Sequence, residues 1–152
     1  MNLNNRRTPA KSQFIMAQLR HLFFVRDRCY ELPMTMKIAI AGAGGRMGRV
    51  LARVFQETPG CAVVGGLEIK GSPLVGTAMG ETGATITDDP VTLFKNIDGI
   101  VDFTVPAATL SLVEHSARAG ILHVIGTTGI DAAGEEKIRV AAKAARIVKS
   151  GN

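Results

Sequence analysis

Lys37-Ile-Ala-Ile-Ala-Gly-Ala-Gly-Gly-Arg-Met-Gly48 is the stretch that decides the fold. Its first five residues form a short apolar run of small and branched side chains, the pattern of a strand buried on both faces. The run ends in a glycine cluster, with Gly42, Gly45 and Gly48 in GxxGxxG spacing. Beyond it Met47, Val50, Leu51, Val54 and Phe55 recur at helical spacing, with Arg46, Arg49, Arg53 and Glu57 opposite and Pro59-Gly60 as the stop. That predicts one amphipathic helix whose apolar stripe faces a sheet. Residues without a Cβ permit a tight strand-to-helix turn, and a pyrophosphate can then approach the backbone. The free N–H groups and the dipole at the helix start favour its negative charge. A purely structural turn would use the same glycines, so the motif alone does not decide the matter.

Working outward, Cys61-Ala-Val-Val-Gly-Gly-Leu67 reads as a second strand ending at Glu68, twenty residues after Gly48. An acidic side chain there can accept hydrogen bonds from the hydroxyls of an adenosine ribose. Lys70 complicates the choice of nicotinamide cofactor: a cation suits the 2′-phosphate of NADP, whereas Glu68 suits the free hydroxyl of NAD. Acceptance of both is the expectation. A weaker strand is predicted at Ala84–Thr87, then a short helix from Asp89-Pro90 through Phe94, then a strand at Gly99–Phe103. Pro106 is placed as the first residue of a helix ending at Gly120, and Ile121–Ile125 as another buried strand. Asp131 is the expected cap of a last helix, with Glu135 and Glu136 near its start and Lys143 and Arg146 near its end. Ile147-Val148 opens a final strand. Strands alternating with helices in this way predict an α/β fold, a doubly wound, mainly parallel, three-layered sheet of Rossmann type.

Two further loops follow strand ends, where open α/β sheets bind ligands. Asp102-Phe103-Thr104 precedes the helix at Pro106, and Gly126-Thr127-Thr128-Gly129 precedes the helix at Asp131. Their hydroxyls and backbone groups suit the nicotinamide half of a dinucleotide; helix capping and turn formation are their ordinary uses. His115 and His123 lack partners at metal-ligand spacing and are expected to serve packing or the surface. Cys61 reads as a small buried hydrophobe. Gly-Xaa-Ser-Xaa-Gly is absent, and no Gly-Lys-Ser/Thr follows the glycines, which disfavours hydrolases and kinases.

The chain has 152 residues, 46% hydrophobic and 20% charged, which suits one domain and excludes a disordered polymer. No apolar run approaches the roughly 18 residues needed to span a bilayer. Cys29 and Cys61 make no disulfide framework or zinc set, consistent with a reducing, cytoplasmic setting. The net charge of +5 lies mostly in residues 1–35, where six basic side chains face two acidic ones. Residues 36–152 hold twelve against eleven, so the domain lacks the basic stripe expected of a nucleic-acid binder. All 17 glycines lie after residue 35, whereas four of the seven aromatics lie before it. Residues 1–35 are therefore expected to be an extension, disordered or not native, with the domain occupying 36–152. An organellar transit peptide, Arg-rich and acid-poor, is the alternative for that segment.

In order, Ile40-Ala-Gly-Ala-Gly-Gly-Arg-Met-Gly-Arg49, Glu68 with Gly71-Ser72 beyond it, Val101-Asp-Phe-Thr104 and Val124-Ile-Gly-Thr-Thr-Gly129 resemble the N-terminal half of the 4-hydroxy-tetrahydrodipicolinate (dihydrodipicolinate) reductases. The likeness runs from about Lys37 to Asn152. It implies a small-molecule reductase of diaminopimelate and lysine biosynthesis, cytoplasmic or plastid, that passes hydride from NADH or NADPH to the substrate and gives tetrahydrodipicolinate. It also implies that Gly42, Gly45, Arg46, Met47 and Gly48 hold the pyrophosphate and Glu68 the adenosine ribose. Phe103, Thr104, Gly126 and Thr127 would then lie near the nicotinamide, and Thr128 near the substrate. Ser150-Gly151-Asn152 would begin the passage to a second domain.

The sequence departs from that family's pattern in two respects. Ile69 stands where many members carry Arg, which leaves Lys70 for any 2′-phosphate. The family's His-His and Lys-Xaa-Asp-Ala-Pro-Ser-Gly-Thr segments do not occur in these residues, nor does the sheet that assembles its homotetramer. The expectation is therefore a cofactor half that is inactive alone and not tetrameric, with no catalytic residue of its own. The alternative is a stand-alone dinucleotide-binding module, a sensor or one subunit of a split protein. No metal, nucleic acid or membrane is expected as a partner.

Overall fold

The computed structural model describes residues 35–150. Six strands, β1 (Met36–Ala41), β2 (Cys61–Leu67), β3 (Ile86–Thr87), β4 (Gly99–Asp102), β5 (Leu122–Ile125) and β6 (Arg146–Lys149), form one sheet in the order β3-β2-β1-β4-β5-β6. Every pairing is parallel. The helices are α1 (Arg46–Gln56), α2 (Pro90–Phe94), α3 (Pro106–Ala119) and α4 (Ala132–Ala141). The β2–β3 crossover carries only a 3₁₀ turn at Gly80–Thr82. The expected doubly wound Rossmann sheet is the observed one.

β1 lies at the centre, and from Ile38 onward it is fully buried. Its alternate side chains serve opposite faces. Ala39 and Ala41 join Phe94, Ile97, Ile100 and Leu112 on the side of α2 and α3, while Ile40 joins Ala52, Val63, Met79 and Ile86 on the side of α1. A third cluster, Val113, Ile125 and Ile138, packs α3 and α4 onto β5. The β1–β2 register slips between Ile38 and Ala39, so that Ile38 pairs with Val63 and Ala39 with Gly65.

Local chemistry accounts for the helix starts. Asp89 accepts from the N–H groups of Val91 and Thr92 at 2.9 and 3.2 Å, with Pro90 at the first helical position. Pro106 opens α3 in the same way, and Asp131 caps α4 by accepting from Gly134 at 2.8 Å.

Several expectations shift. In α1 the residues turned to the sheet are Gly48 and Ala52, with Leu51 and Phe55 half-buried. Met47, Val50 and Val54, read as core, are 45%, 55% and 49% exposed. The buried stripe is Gly48, Leu51, Ala52 and Phe55, rotated from the one expected because Gly48 must face the turn: a Cβ there would stand 2.3 Å from the Gly42 carbonyl oxygen. Strand β3 is two residues long, Ile86–Thr87; Thr85 before it accepts from Gly66 of β2 and also forms an antiparallel bridge with Ala78. Phe103 falls outside β4, and Ile121 outside β5. Arg146 begins β6, leaving Arg139 as the basic residue in the last turn of α4. Cys61 is half-buried. The expectations for residues 1–34 lie outside the described residues, as do Gly151 and Asn152. No helix among the described residues is long and apolar enough to cross a membrane.

Candidate functional site

The glycine turn leaves β1 through Gly42, whose φ of +72° is the left-handed conformation that favours a residue without Cβ. The N–H groups of Gly42 and Ala43 donate to the Leu67 carbonyl at 2.9 and 3.3 Å, and Gly45 N–H returns to the Gly42 carbonyl at 2.9 Å. The turn is thereby tied to the end of β2. Gly45 is the N-cap of α1, with no side-chain cap bond and no acidic residue in the first turn of the helix itself, so its first N–H groups carry no cap from within the helix.

Glu68 stands at the end of β2, anchored by its N–H to the Thr87 carbonyl at 2.9 Å. Its Oε1 accepts from the Gly44 N–H at 2.8 Å. Leu74 lies over the same glycine, where a Cβ on Gly44 would meet Leu74 Cδ1 at 2.1 Å.

A cleft of about 580 Å³ is lined by Gly42, Gly44, Gly45, Glu68, Phe103 and Thr104, together with Leu74 and Asp88. A second depression of about 450 Å³ is lined by Arg46, Met47, Gly48 and Val50, and it shares Gly42, Gly45 and Phe103 with the first. The carboxyl ends of β1, β2 and β4 thus bring most of the expected residues around a trough of two adjoining depressions. Lys70 and Thr128 are exposed and stand outside both linings. Gly126 meets the trough through Phe103, whose ring covers it so closely that a Cβ there would lie 2.2 Å from Cε1.

Thr127 is placed differently from the expectation of a side chain near the nicotinamide. It is 3% exposed and its hydroxyl turns inward. There Asp102, fully buried at the end of β4, gathers a polar cluster. Its Oδ1 accepts from the Thr104 N–H at 2.9 Å, the Thr104 hydroxyl at 2.6 Å and the Thr127 hydroxyl at 3.5 Å. Thr109, on α3, donates to Thr127 at 2.8 Å. Asp102 Oδ2 faces His123 Nε2 at 3.4 Å, and His123 Nδ1 meets the Ser116 hydroxyl at 2.9 Å. A carboxylate only accepts, so Nε2 carries the ring hydrogen and, in the neutral ring, Nδ1 takes the Ser116 hydroxyl hydrogen. Burial is the largest influence on Asp102 and pushes its carboxyl up. The hydrogen bonds from His123 and Thr104 lead the influences that outweigh burial and hold it below the usual carboxylate range.

Sequence reasoning missed Gly44, Asp102, Thr109 and Ser116 as parts of this arrangement. The available signal was a carboxylate and an imidazole inside two apolar strand runs, since buried ionisable groups need partners. His123, expected to serve packing or the surface, is buried as a hydrogen-bonded member of the Asp102 cluster, and His115 sets its ring edge-on to Phe94 at 6.1 Å. Among the described residues no three His, Cys, Asp or Glu side chains form a metal-binding group.

The strand order, the glycine turn and the acidic residue ending β2 define a Rossmann-type α/β domain. Residues 36–152 match the family model described as dihydrodipicolinate reductase, N-terminus. The chain belongs to that family. It is 50% identical over 124 residues to the 4-hydroxy-tetrahydrodipicolinate reductase of Parvibaculum lavamentivorans, a match covering 77% of this chain and 46% of the relative. It is 48% identical over 123 residues to the enzyme of the same name from Brucella abortus strain 2308, with the same coverage of 77% and 46%. The chain therefore spans about half the length of the curated relatives it matches. Among solved structures, the dipicolinate-bound dihydrodipicolinate reductase from Paenisporosarcina sp. TG-14 superposes with a TM-score of 0.66 at 19% identity, covering 78% of this chain and 48% of that one. At that identity the likeness speaks for the fold.

Proposed function

We propose that the chain binds NADH or NADPH and forms the cofactor half of a 4-hydroxy-tetrahydrodipicolinate reductase of lysine and diaminopimelate biosynthesis. The observation that carries this reading is the bare glycine turn at the start of α1 facing the Glu68 carboxylate across one cleft. A diphosphate suits the start of α1: the positive end of the helix and the N–H groups of its uncapped first turn would meet it, while Glu68 and Leu74 lie against Gly44 on the β2 side.

Gly42, Gly45, Arg46, Met47 and Gly48 would hold the pyrophosphate, with Arg46 adding an exposed cation. Glu68 Oε1 is engaged by Gly44, which leaves Oε2 to accept from the adenosine ribose. Lys70 is the cation available to a 2′-phosphate. Phe103, Thr104, Gly126 and Thr127 would border the nicotinamide, the first as an apolar wall and the others through backbone and position. Thr128, exposed beside them, would face the substrate. When bound, the dinucleotide would supply the hydride; with one proton taken up and the substrate's hydroxyl lost as water, the products are tetrahydrodipicolinate and the oxidised cofactor. These residues bind and orient the dinucleotide and shield one face of the reacting ring from water.

The positioned acid and the anion clamp that such a reduction also needs would come from the part of the relatives these residues do not match. We accordingly expect residues 36–152 to act as a dinucleotide domain, in the cytoplasm, that turns over no substrate by itself. Calorimetric titration of the 152-residue chain with NADH and NADPH tests the reading. Binding of either at micromolar levels, with no oxidation of the cofactor on adding substrate, is the expected result. Binding of neither overturns it.

A further inference from the structure

Asp102 is a costly residue in its place. It is 0% exposed in a run whose neighbours are Ile100 and Val101, and burying a carboxylate is unfavourable unless every lone pair finds a donor. Packing alone would be served by an apolar side chain. The partners it does find come from two separate loops. Thr104 belongs to the loop after β4, and Thr127 to the loop after β5; both donate to the single oxygen Oδ1. The main chain repeats the tie, since Gly126 N–H donates to the Asp102 carbonyl at 2.8 Å. Thr109 braces the pair from α3, donating to Thr127 at 2.8 Å and lying 3.4 Å from the Thr104 hydroxyl. Oδ2 is backed by His123, itself held by Ser116, so the carboxylate cannot rotate without breaking a second set of contacts. On the solvent side the same two loops interlock through Phe103, whose ring rests on Gly126.

We propose that Asp102 is a positioning residue, whose buried carboxylate fixes the loop after β4 against the loop after β5 so that together they make one rigid support for the nicotinamide ring. This rests on the cofactor reading above. Asp102 does not line the trough. It acts through Thr104, Thr127 and the Phe103–Gly126 contact. The adenosine end is held by other elements, the glycine turn and Glu68, to which none of these hydrogen bonds runs. The consequence is a division of labour that an ordinary core residue would not show. Loss of the tie loosens the nicotinamide end and leaves the adenosine end untouched.

The test compares the whole cofactor with its fragment. NADH and ADP-ribose, which lacks the nicotinamide, are titrated calorimetrically into the 152-residue chain, Asp102→Asn and Thr109→Val. Asn is isosteric but replaces one acceptor oxygen by a donor. Val preserves the shape of Thr109 and removes only its hydroxyl, so it keeps the test open if Asp102→Asn does not fold. We expect Asp102→Asn to weaken NADH about tenfold and Thr109→Val about threefold, the loss of one to two buried hydrogen bonds, with ADP-ribose unchanged within about twofold. Equal losses for NADH and ADP-ribose, or no loss for either, overturn the proposal while the cofactor reading stands. A parent chain that binds neither compound removes the cofactor reading, and this proposal with it.

Discussion

The Gly44 N–H donates to Glu68 Oε1 at 2.8 Å, joining the glycine turn to the end of β2 through a side chain rather than through the sheet. Glu68 therefore shapes the turn and, under the proposed function, also reads the ribose. Glu68→Gln separates the two roles, because its amide oxygen still accepts from Gly44 while the charge is gone. A phosphate on the ribose 2′ position would then lose a repulsion worth about 1 kcal/mol at 4 Å in water. The ratio of NADPH to NADH affinity is expected to rise about fivefold. An unchanged ratio in calorimetric titrations would place Glu68 away from the ribose.

Lys70 gives the complementary measurement. It is exposed, so its attraction for a 2′-phosphate is screened by salt. Lys70→Ala should weaken NADPH about threefold at low salt and hardly at all at high salt, with NADH unaffected throughout. Equal effects on both cofactors would show that Lys70 senses something other than the 2′ group.

Gly48 tests how closely α1 must approach the turn. A Cβ there would meet the Gly42 carbonyl oxygen at 2.3 Å and the Ala43 carbonyl oxygen at 2.8 Å, and both are backbone atoms that cannot swing aside. Gly48→Ala should cost about 1–3 kcal/mol of stability by overcrowding and abolish measurable cofactor binding. A variant with the parent's urea midpoint would show that the turn yields more easily than its packing suggests.

Phe103 and Gly126 are coupled in a way that a double-mutant cycle can read. Gly126→Ala puts a methyl group into the Phe103 ring, at 2.2 Å from Cε1. The single variant should lose about 1–3 kcal/mol, and Phe103→Leu should restore part of it, with an interaction energy above about 0.5 kcal/mol. Additive effects in denaturant unfolding would mean that the ring leaves Gly126 freely.

What the sequence disclosed and what it hid divides by distance along the chain. The turn at Gly42–Gly48, the caps at Asp89 and Asp131 and the starts at Pro90 and Pro106 depend on neighbours a few residues away, and each was legible. Glu68 could be placed because a strand of known length ends there. Periodicity misled at α1: Val50 and Val54 have the spacing of core residues, but Gly48 must face the carbonyls of the turn, which puts Ala52, Leu51 and Phe55 on the buried side instead. The partners within the polar cluster were hidden for another reason, although a carboxylate and an imidazole inside apolar runs signalled that each needed one. Asp102 and His123 lie 21 residues apart, and only the register of β4 on β5 brings them together. Thr127, read as facing a ligand, turns inward to that cluster.

The Asp102 cluster also carries a pH dependence whose sign follows from its direction. Burial raises the Asp102 carboxyl, the hydrogen bonds led by His123 and Thr104 lower it by more, and the net displacement is downward. The unfolded chain, with aspartate near its ordinary value of about 4, then binds the proton more readily than the folded one. The stability supplied by this carboxylate is complete above about pH 4 and is lost as the pH falls through the lower, folded value. Asp102→Asn lacks it at every pH. The parent chain should therefore exceed the variant by about 1–3 kcal/mol at neutral pH, and the two should converge on acidification below about pH 4. Urea unfolding of both proteins across that range checks the point: a gap that stays constant down to the lowest pH would mean that the hydrogen bonds do not favour the ionised carboxyl.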